Sequence, residues 1–105
     1  MRLSENRIQQ IVNKIVEGLH PEKVVLFGSY AAGSATDDSD LDLLVVMNSD
    51  KPSYKRSAAV RSLLWPPEVA MDILVYSPQE VEQVNGLPNH VVTDAFRTGR
   101  VLYAV

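Results

Sequence analysis

Cysteine is absent from the chain, which excludes disulfide bonds and thiolate metal sites and fits the cytoplasmic protein that we expect. Long apolar runs are also absent, since none approaches the roughly 18 residues that cross a membrane. The N-terminus lacks the pattern of a signal peptide. Positive charge is not in excess, and the formal net charge of -3 at pH 7 argues against a protein whose main task is to bind nucleic-acid phosphates. We therefore expect no membrane partner and no direct nucleic-acid binding.

What remains is the composition of an ordinary globular protein, with 46% hydrophobic and 22% charged residues. The 105 residues are enough for one core and not comfortably enough for two. We therefore expect a single domain that spans residues 1–105.

The first segment of the chain has the pattern of an amphipathic helix. Its apolar residues recur at helical spacing, at Ile8, Ile11, Val12, Ile15, Val16 and Leu19. Ser4 is the predicted N-cap, and Gly18 together with Pro21 predicts where the helix ends.

Three apolar runs predict β-strands, at residues 24–27, 41–47 and 69–76. The second run is apolar on both faces beyond Asp42, which indicates a central strand. Residues 101–104 predict a further strand at an edge of the sheet.

A helix is predicted between the second and third strands, over residues 54–64. Val60, Leu63 and Leu64 lie on its predicted inner side. The following sequence WPPE ends this helix, because two prolines cannot continue it.

Two further helices are predicted after the third strand. Ser77 and Glu80 have the spacing of a capping box with proline at the first helical position, so a short helix follows over residues 78–84. The last helix covers about residues 90–98, with Gly99 as its C′ residue. The order of these elements predicts an α/β (α+β) fold, in which helices pack on a sheet.

Two carboxylates stand at the start of the second predicted strand. Successive strand residues alternate between faces, so Asp40 and Asp42 point the same way, with Cα atoms about 7 Å apart. Carboxylates this close repel each other, and their burial is costly unless positive charge lies between them. A hard divalent cation with oxygen ligands, such as Mg²⁺, meets that need.

A third carboxylate, Asp72, lies in the apolar third strand between Met71 and Ile73. We expect it inside the strand's apolar interior, where a lone carboxylate is costly unless it is paired or metal-bound. If this strand lies beside the second, Asp72 reaches the same cations as Asp40 and Asp42. Three carboxylates on adjacent strands predict a two-metal site, which holds its ions about 3.5 to 4 Å apart and serves phosphoryl displacement.

A place for phosphates is predicted directly after the first strand. Gly28 lets the backbone approach a phosphate closely, and Ser29 offers a hydroxyl and an N–H. If residues 30–32 begin a short helix, its N–H groups add to this anion-binding end. The sequence therefore predicts a nucleoside triphosphate at this turn, with its metals at the acidic strand start.

Two better-known motifs, the Walker A phosphate loop and the calcium loop, do not match this sequence. Gly28–Gly33 matches the first part of a Walker A loop, but Ser34 and Ala35 stand where that loop requires Lys and then Ser or Thr. A calcium loop requires glycine at its sixth position and glutamate at its twelfth, where this chain has Leu43 and Ser49.

Several residues have ordinary structural interpretations. Asp72 could be a structural carboxylate beside a solvated acidic turn. His20 is expected to end the first helix, and His90 to lie at the surface where a helix starts. The basic residues of Lys51–Arg61 predict a solvated helix face or a contact with phosphates or an acidic partner. Trp65 is either part of the core or an exposed anchor for a partner.

The segment GSYAAGSATDDSDLDLLVV resembles the G-S…S-D-x-D-L signature of the DNA polymerase β nucleotidyltransferase superfamily. The aspartate of MDILVY corresponds to the superfamily's later carboxylate strand. Within the superfamily the chain is similar to the minimal nucleotidyltransferases, the MNT antitoxin family, and its end, DAFRTGRVLYA, is similar to theirs. The resemblance covers nearly all of the chain.

The resemblance implies a nucleotidyltransferase fold, with a small mixed sheet and flanking helices. It implies that Asp40 and Asp42 bind two Mg²⁺ ions. It further implies that Asp72 binds the catalytic ion and helps to deprotonate the attacking hydroxyl. Gly28 and Ser29 would hold the triphosphate of ATP, the implied substrate.

The resemblance also implies a partner. MNT proteins pair with a helical HEPN-type toxin in bacterial and archaeal toxin–antitoxin modules, and some transfer AMP from ATP to a tyrosine of that toxin. Our first hypothesis is therefore a Mg²⁺-dependent transfer of AMP to a tyrosine hydroxyl of a HEPN-type partner. Two alternatives stay open: an antitoxin that acts by binding alone, and nucleotidyl transfer to a small molecule or RNA. No second helical domain is recognisable, so the partner is expected to supply part of the site.

Overall fold

Four strands form one mixed sheet in the computed structural model, which describes residues 2–105. They span Lys23–Phe27 (β1), Leu41–Val46 (β2), Met71–Tyr76 (β3) and Arg100–Ala104 (β4). Their order across the sheet is β3-β2-β1-β4. β1 runs antiparallel to both β2 and β4, whereas β2 and β3 run parallel. The central position predicted for the second strand is confirmed, because β2 has a neighbour on each side.

Five helices flank the sheet within the described residues. They span Glu5–Leu19 (α1), Gly28–Ala32 (α2), Ser53–Leu63 (α3), Pro78–Val84 (α4) and Val91–Thr98 (α5). Each predicted helix and strand is present, with ends that agree to within two residues. The predicted α/β fold class is confirmed. No helix among the described residues is long and apolar enough to span a bilayer.

The core has two parts, one on each face of the sheet. One part joins the apolar side of α1 to β2 through residues such as Ile15 and Leu43, both fully buried. The other joins Val92 and Ala95 of α5 to Val25 and Leu44 of the sheet. Because helices cover both faces, β2 is apolar on both of its sides, as expected for a buried strand with a parallel neighbour.

Both ends of α1 agree with the prediction, since Ser4 caps its start and His20 ends it between Gly18 and Pro21. The Ser4 side chain caps the helix by accepting a hydrogen bond from the Arg7 N–H. Gly18 lies inside the helix, and His20 ends it in the left-handed conformation with φ of 50°. A Cβ on Gly18 would lie 2.6 Å from a methyl carbon of Leu63, so this glycine allows α1 and α3 to pack closely.

Two predictions about the later helices need correction. Leu63 was expected on the inner side of its helix, but it is 36% exposed because it packs at the rim, against Gly18. Gly99 ends α5 as expected, yet its φ of -85° does not require glycine. A Cβ there would lie 2.3 Å from the Ala95 carbonyl oxygen and 2.5 Å from that of Leu26, so close backbone approach is what requires glycine.

The predicted capping box at the start of α4 is confirmed. Ser77 Oγ accepts from the Glu80 N–H at 3.2 Å, and Glu80 Oε1 accepts from the Ser77 N–H at 2.8 Å. The same Glu80 oxygen forms an ion pair with Arg56 of α3 at 2.5 Å. The box therefore also ties α3 to α4 beside the end of β3.

Candidate active site

The three predicted carboxylates lie around the start of β2 and β3. Asp42 is the register partner of Asp72 in the parallel pair, so both side chains project from the same face of the sheet. Neighbouring strands lie about 4.8 Å apart, which places the two residues side by side. Asp40 precedes Asp42 by two residues. The topology therefore places the three carboxylates that the sequence singled out around the start of two neighbouring strands, with Asp42 and Asp72 side by side.

The environment of Asp72 differs from the prediction. Asp72 was expected in an apolar interior, but it is exposed, whereas Asp42 is half-buried. Asp72 stands near the start of β3, an edge strand, and strand alternation turns its side chain to the face opposite the buried Ile73. Of the three carboxylates, Asp42 is thus the one with the largest desolvation cost.

The electrostatics of this cluster are unfavourable without a counter-charge. Partial burial raises the pKa of Asp42 above its ordinary value, and the charges of Asp72 and Asp40 raise it further. The ionised state of Asp42 is thus destabilised by both its surroundings and its neighbours. A cation among these oxygens would attract the carboxylates and so stabilise the ionised state of Asp42.

The donor set fits a hard divalent cation in kind, since Mg²⁺ prefers carboxylate oxygens. Within residues 2–105, however, no group of three or more His, Cys, Asp or Glu side chains is arranged so that it could hold a metal ion as it stands. Three carboxylates without a counter-ion repel one another, and Mg²⁺ usually takes only one or two carboxylates plus phosphate oxygens and water. Metal binding by Asp40, Asp42 and Asp72 therefore stays a prediction that the arrangement supports.

We expect Asp42→Asn to raise the melting temperature in a chelator at neutral pH. The raised pKa means that ionised Asp42 destabilises the fold above that pKa, and that this cost disappears as the pH falls through it. The stabilising effect of the substitution should therefore shrink as the pH falls towards the usual aspartate range of about 4. Thermal unfolding of both proteins across this range measures the difference.

Glu80 also makes the stability of the fold depend on pH, because its carboxylate accepts hydrogen bonds from the Ser77 N–H and from Arg56 and its pKa is thereby lowered. Protonation of Glu80 in acid destabilises both proteins alike, so the difference between their melting temperatures isolates the effect of Asp42. Asp38→Asn, in the exposed turn, serves as the control and should change the melting temperature little. A lower melting temperature for Asp42→Asn at neutral pH would contradict the repulsion argument.

Gly28 makes room for the Asp42 carboxylate. Its φ is +72°, in the region that favours glycine, and a Cβ there would lie 2.1 Å from Asp42 Oδ2. Sequence reasoning assigned this glycine to phosphate approach alone. The signal that could have indicated the second role is the antiparallel pairing of Phe27 with Asp42, which places the following glycine beside the carboxylate.

The predicted glycine–serine turn opens the short helix α2. Ser29 is half-buried, and among the described residues its hydroxyl has no hydrogen-bond partner, so it is free to meet a ligand. Tyr30 holds the turn in place from below, since its buried hydroxyl accepts a hydrogen bond from the Leu3 N–H at 3.0 Å. Sequence reasoning did not single out Tyr30, because its contact lies 27 residues away along the chain.

The turn before Asp40 is shaped by hydroxyl groups. Ser39 Oγ accepts from the Thr36 N–H at 2.8 Å, and the Ser39 N–H donates to the Thr36 carbonyl at 3.1 Å. This reciprocal pair closes the loop directly before the first carboxylate. Ser39 therefore positions Asp40 through the backbone.

The remaining candidates are structural or exposed. Arg56 of the basic run ties α3 to α4 through Glu80, and Arg61 ties α3 to the sheet through the Met71 carbonyl. His90 Nδ1 accepts from the Val92 N–H and caps α5. Trp65 is 77% exposed, which excludes the interpretation that it fills the core.

The fold is shared with toxin–antitoxin proteins of known structure. A toxin–antitoxin complex determined with AMP-PNP contains a chain that superimposes with a TM-score of 0.67 at 19% identity, over 98% of this chain and 75% of that one. A complex of tri-AMPylated Shewanella oneidensis HEPN toxin with MNT antitoxin contains another, with a TM-score of 0.54 at 18% identity, over 92% and 73%. At such identities the likeness establishes the fold, which is that of the nucleotidyltransferases.

The sequence establishes the family. The profile of the nucleotidyltransferase domain family matches residues 6–96, and the chain belongs to this family. This membership confirms the resemblance to the nucleotidyltransferases seen in the sequence. A candidate protein adenylyltransferase of Methanocaldococcus jannaschii, MJ0604, is 40% identical over 48 residues, which make up 44% of this chain and 48% of that protein. The chain thus spans about half the length of the curated relative that it matches.

Proposed function

We propose that this protein transfers AMP from ATP to a tyrosine hydroxyl of a helical HEPN-type toxin, in a Mg²⁺-dependent reaction. The observation that carries the proposal is the parallel register of Asp42 and Asp72, with Asp40 two residues away. Family membership supports the reaction class. Two named proteins support the acceptor class: the adenylyltransferase candidate MJ0604, and the AMPylated HEPN toxin found with its MNT antitoxin.

In the proposed reaction the acceptor oxygen attacks the α-phosphorus of ATP. The bond between that phosphorus and the bridging oxygen breaks, and pyrophosphate leaves. Two Mg²⁺ ions, held by Asp40, Asp42 and Asp72, would supply charge stabilisation for the entering and leaving oxygens. Asp72 accepts the hydroxyl proton and passes it to solvent, a role that its exposure permits.

The phosphates are bound at the glycine–serine turn in this proposal. Ser29 donates its free hydroxyl and N–H to the triphosphate, next to the carboxylates. Gly28 keeps Asp42 close to this turn, because no side chain separates them. Most of the catalytic effect then comes from positioning and charge neutralisation, as in other phosphoryl transfers.

The decisive experiment follows the label of ATP. Protein, Mg²⁺ and HEPN-type toxin that was produced separately, and is therefore unmodified, are incubated with ATP labelled at either the α- or the γ-phosphorus. Label should reach the toxin from the α-position only, and pyrophosphate should appear in equal amount. Label transferred from the γ-position would indicate a kinase, and no transfer of either label would overturn the proposal.

A second candidate function is neutralisation of the toxin by binding alone. The observation that favours it is the exposure of two aromatic side chains, Tyr54 at 69% and Trp65 at 77%, at opposite ends of α3. Exposed aromatic side chains are frequent binding hot spots.

We expect Trp65→Ala to weaken toxin binding by at least about tenfold, since truncated hot-spot residues commonly cost 2 kcal/mol or so. Calorimetric titration of the purified toxin measures this, with Leu87→Ala as a control for loss of another exposed apolar side chain, 48% exposed. Unchanged affinity would remove Trp65 from the interface. If an Asp40→Asn/Asp42→Asn double variant still fully suppresses toxicity in cells, binding rather than transfer protects them.

A further inference from the structure

The outer edge of β3 has unpaired backbone groups. The carbonyls of Ala70 and Tyr76 accept hydrogen bonds from Leu41 and Met47 of the neighbouring strand region, at 2.9 and 3.0 Å. In a parallel pair, the residues that bond to the neighbour alternate with residues that face away. The even-numbered residues of β3 therefore bond to β2, and Met71, Ile73 and Val75 direct their N–H and C=O groups to the open side.

Two of these three residues have no partner on that side among the described residues. Arg61 of α3 donates to the Met71 carbonyl at 3.0 Å. No hydrogen bond is made to the outward groups of Ile73 or Val75. These residues are only 4% and 6% exposed. Backbone groups so deeply buried are nearly always hydrogen-bonded in folded proteins, so these four groups indicate a missing partner.

An open groove runs along the same edge. It has a volume of about 430 Å³ and lies between β3 and α3, where the hydroxyl-bearing residues Ser53, Tyr54 and Ser57 line it. The ion pair of Arg56 and Glu80 lies at its wall. The groove is therefore walled by polar side chains on one side and by a strand edge on the other.

We infer that this groove binds an extended polypeptide segment, and that the segment carries the acceptor hydroxyl. Alternating N–H and C=O groups at Ile73 and Val75 are complementary to the backbone of an added strand, as in other strand-addition complexes. A residue of that strand opposite Asp72 would project from the same face of the sheet as the Asp72 carboxylate. This inference rests on the proposed function, for which it specifies how the protein acceptor is held.

The free edge is short, which favours a short segment over a second copy of this chain. Antiparallel self-pairing about Ile73 would place the Val75 N–H opposite the Met71 carbonyl, which already accepts from Arg61. A partner segment needs only the four groups of Ile73 and Val75. Its remaining polar groups meet the hydroxyls that line the groove.

The test uses a short blocked peptide of threonine and valine with one central tyrosine, assayed with α-labelled ATP and Mg²⁺. We expect kcat/KM for this peptide to exceed that for tyrosine amide by at least about tenfold. A factor of this size corresponds to the net free energy of about two hydrogen bonds. N-methylation of the peptide backbone at every second residue should remove this advantage in one register and not in the other. Equal loss, or no loss, in both registers would overturn the inference.

A binding measurement separates this inference from the proposed function. Amide hydrogen exchange at Ile73 and Val75 should slow at least about tenfold when the peptide, or its non-reactive phenylalanine analogue, is added. The amides of β4, at the other edge, serve as the control. If exchange slows with rising protein concentration in the absence of peptide, a second copy of the chain covers the edge. If exchange does not slow at all, only water meets these groups. Either result overturns the inference. Slowed exchange without transfer to any acceptor would instead overturn the proposed function.

Discussion

Asp42→Asn is expected to reduce AMP transfer by at least about a thousandfold while the fold stays intact. The substitution keeps the shape of the side chain and removes the charge that a divalent cation requires. Loss of one essential electrostatic group in an active site commonly costs a hundred- to a thousandfold in rate. Asp42 also lies against Gly28 at the glycine–serine turn and pairs in register with Asp72, so it stands between the two other parts of the candidate site.

The measurement is single-turnover transfer of α-labelled AMP to the toxin, accompanied by circular dichroism and thermal unfolding. Asp38→Asn is the matched control, because it neutralises an exposed carboxylate in the turn before the strand. Its rate should stay within about twofold of the parent, as for most surface changes. A parental rate for Asp42→Asn would show that the carboxylate cluster is not the metal site.

Gly28→Ala is expected to lose both activity and stability. The positive φ of +72° costs a non-glycine residue about 1 to 2 kcal/mol. In addition, the new Cβ would lie 2.1 Å from Asp42 Oδ2, so the carboxylate or the turn must move. A displacement of about 1 Å in a catalytic group can cost a hundredfold in rate, and we expect a loss of about that size.

Gly33→Ala separates the two causes. Gly33 has a similar φ of +78°, but no atom lies within 4 Å of the position that its Cβ would take. The Gly33→Ala protein should therefore lose stability to an extent similar to Gly28→Ala and keep most of its activity. Thermal unfolding and transfer rates of the two variants, measured in parallel, isolate the contact with Asp42. Equal rate losses would mean that backbone strain, rather than displacement of the carboxylate, explains the effect.

The helices and strands could be predicted from the sequence because their signals are local. The apolar spacing of α1 and the capping box of Ser77 and Glu80 involve residues within one or two turns of each other. The acidic pair at the start of β2 was also visible, because strand alternation is a local rule. Contacts between elements were less predictable. His20 ends α1 as expected, but the sequence did not show that Gly18 lacks a side chain where Leu63 of a distant helix packs against it.

The sequence by itself determined the elements, the family and the three candidate carboxylates, because each depends on residue type at short spacing. Only the tertiary structure decided that β3 lies beside β2 in a register that pairs Asp72 with Asp42, and that β3 is an edge strand. It also decided that Gly28 must lack a side chain for the sake of Asp42. These features depend on contacts between residues far apart in the chain, and no local pattern encodes which strand edge stays open.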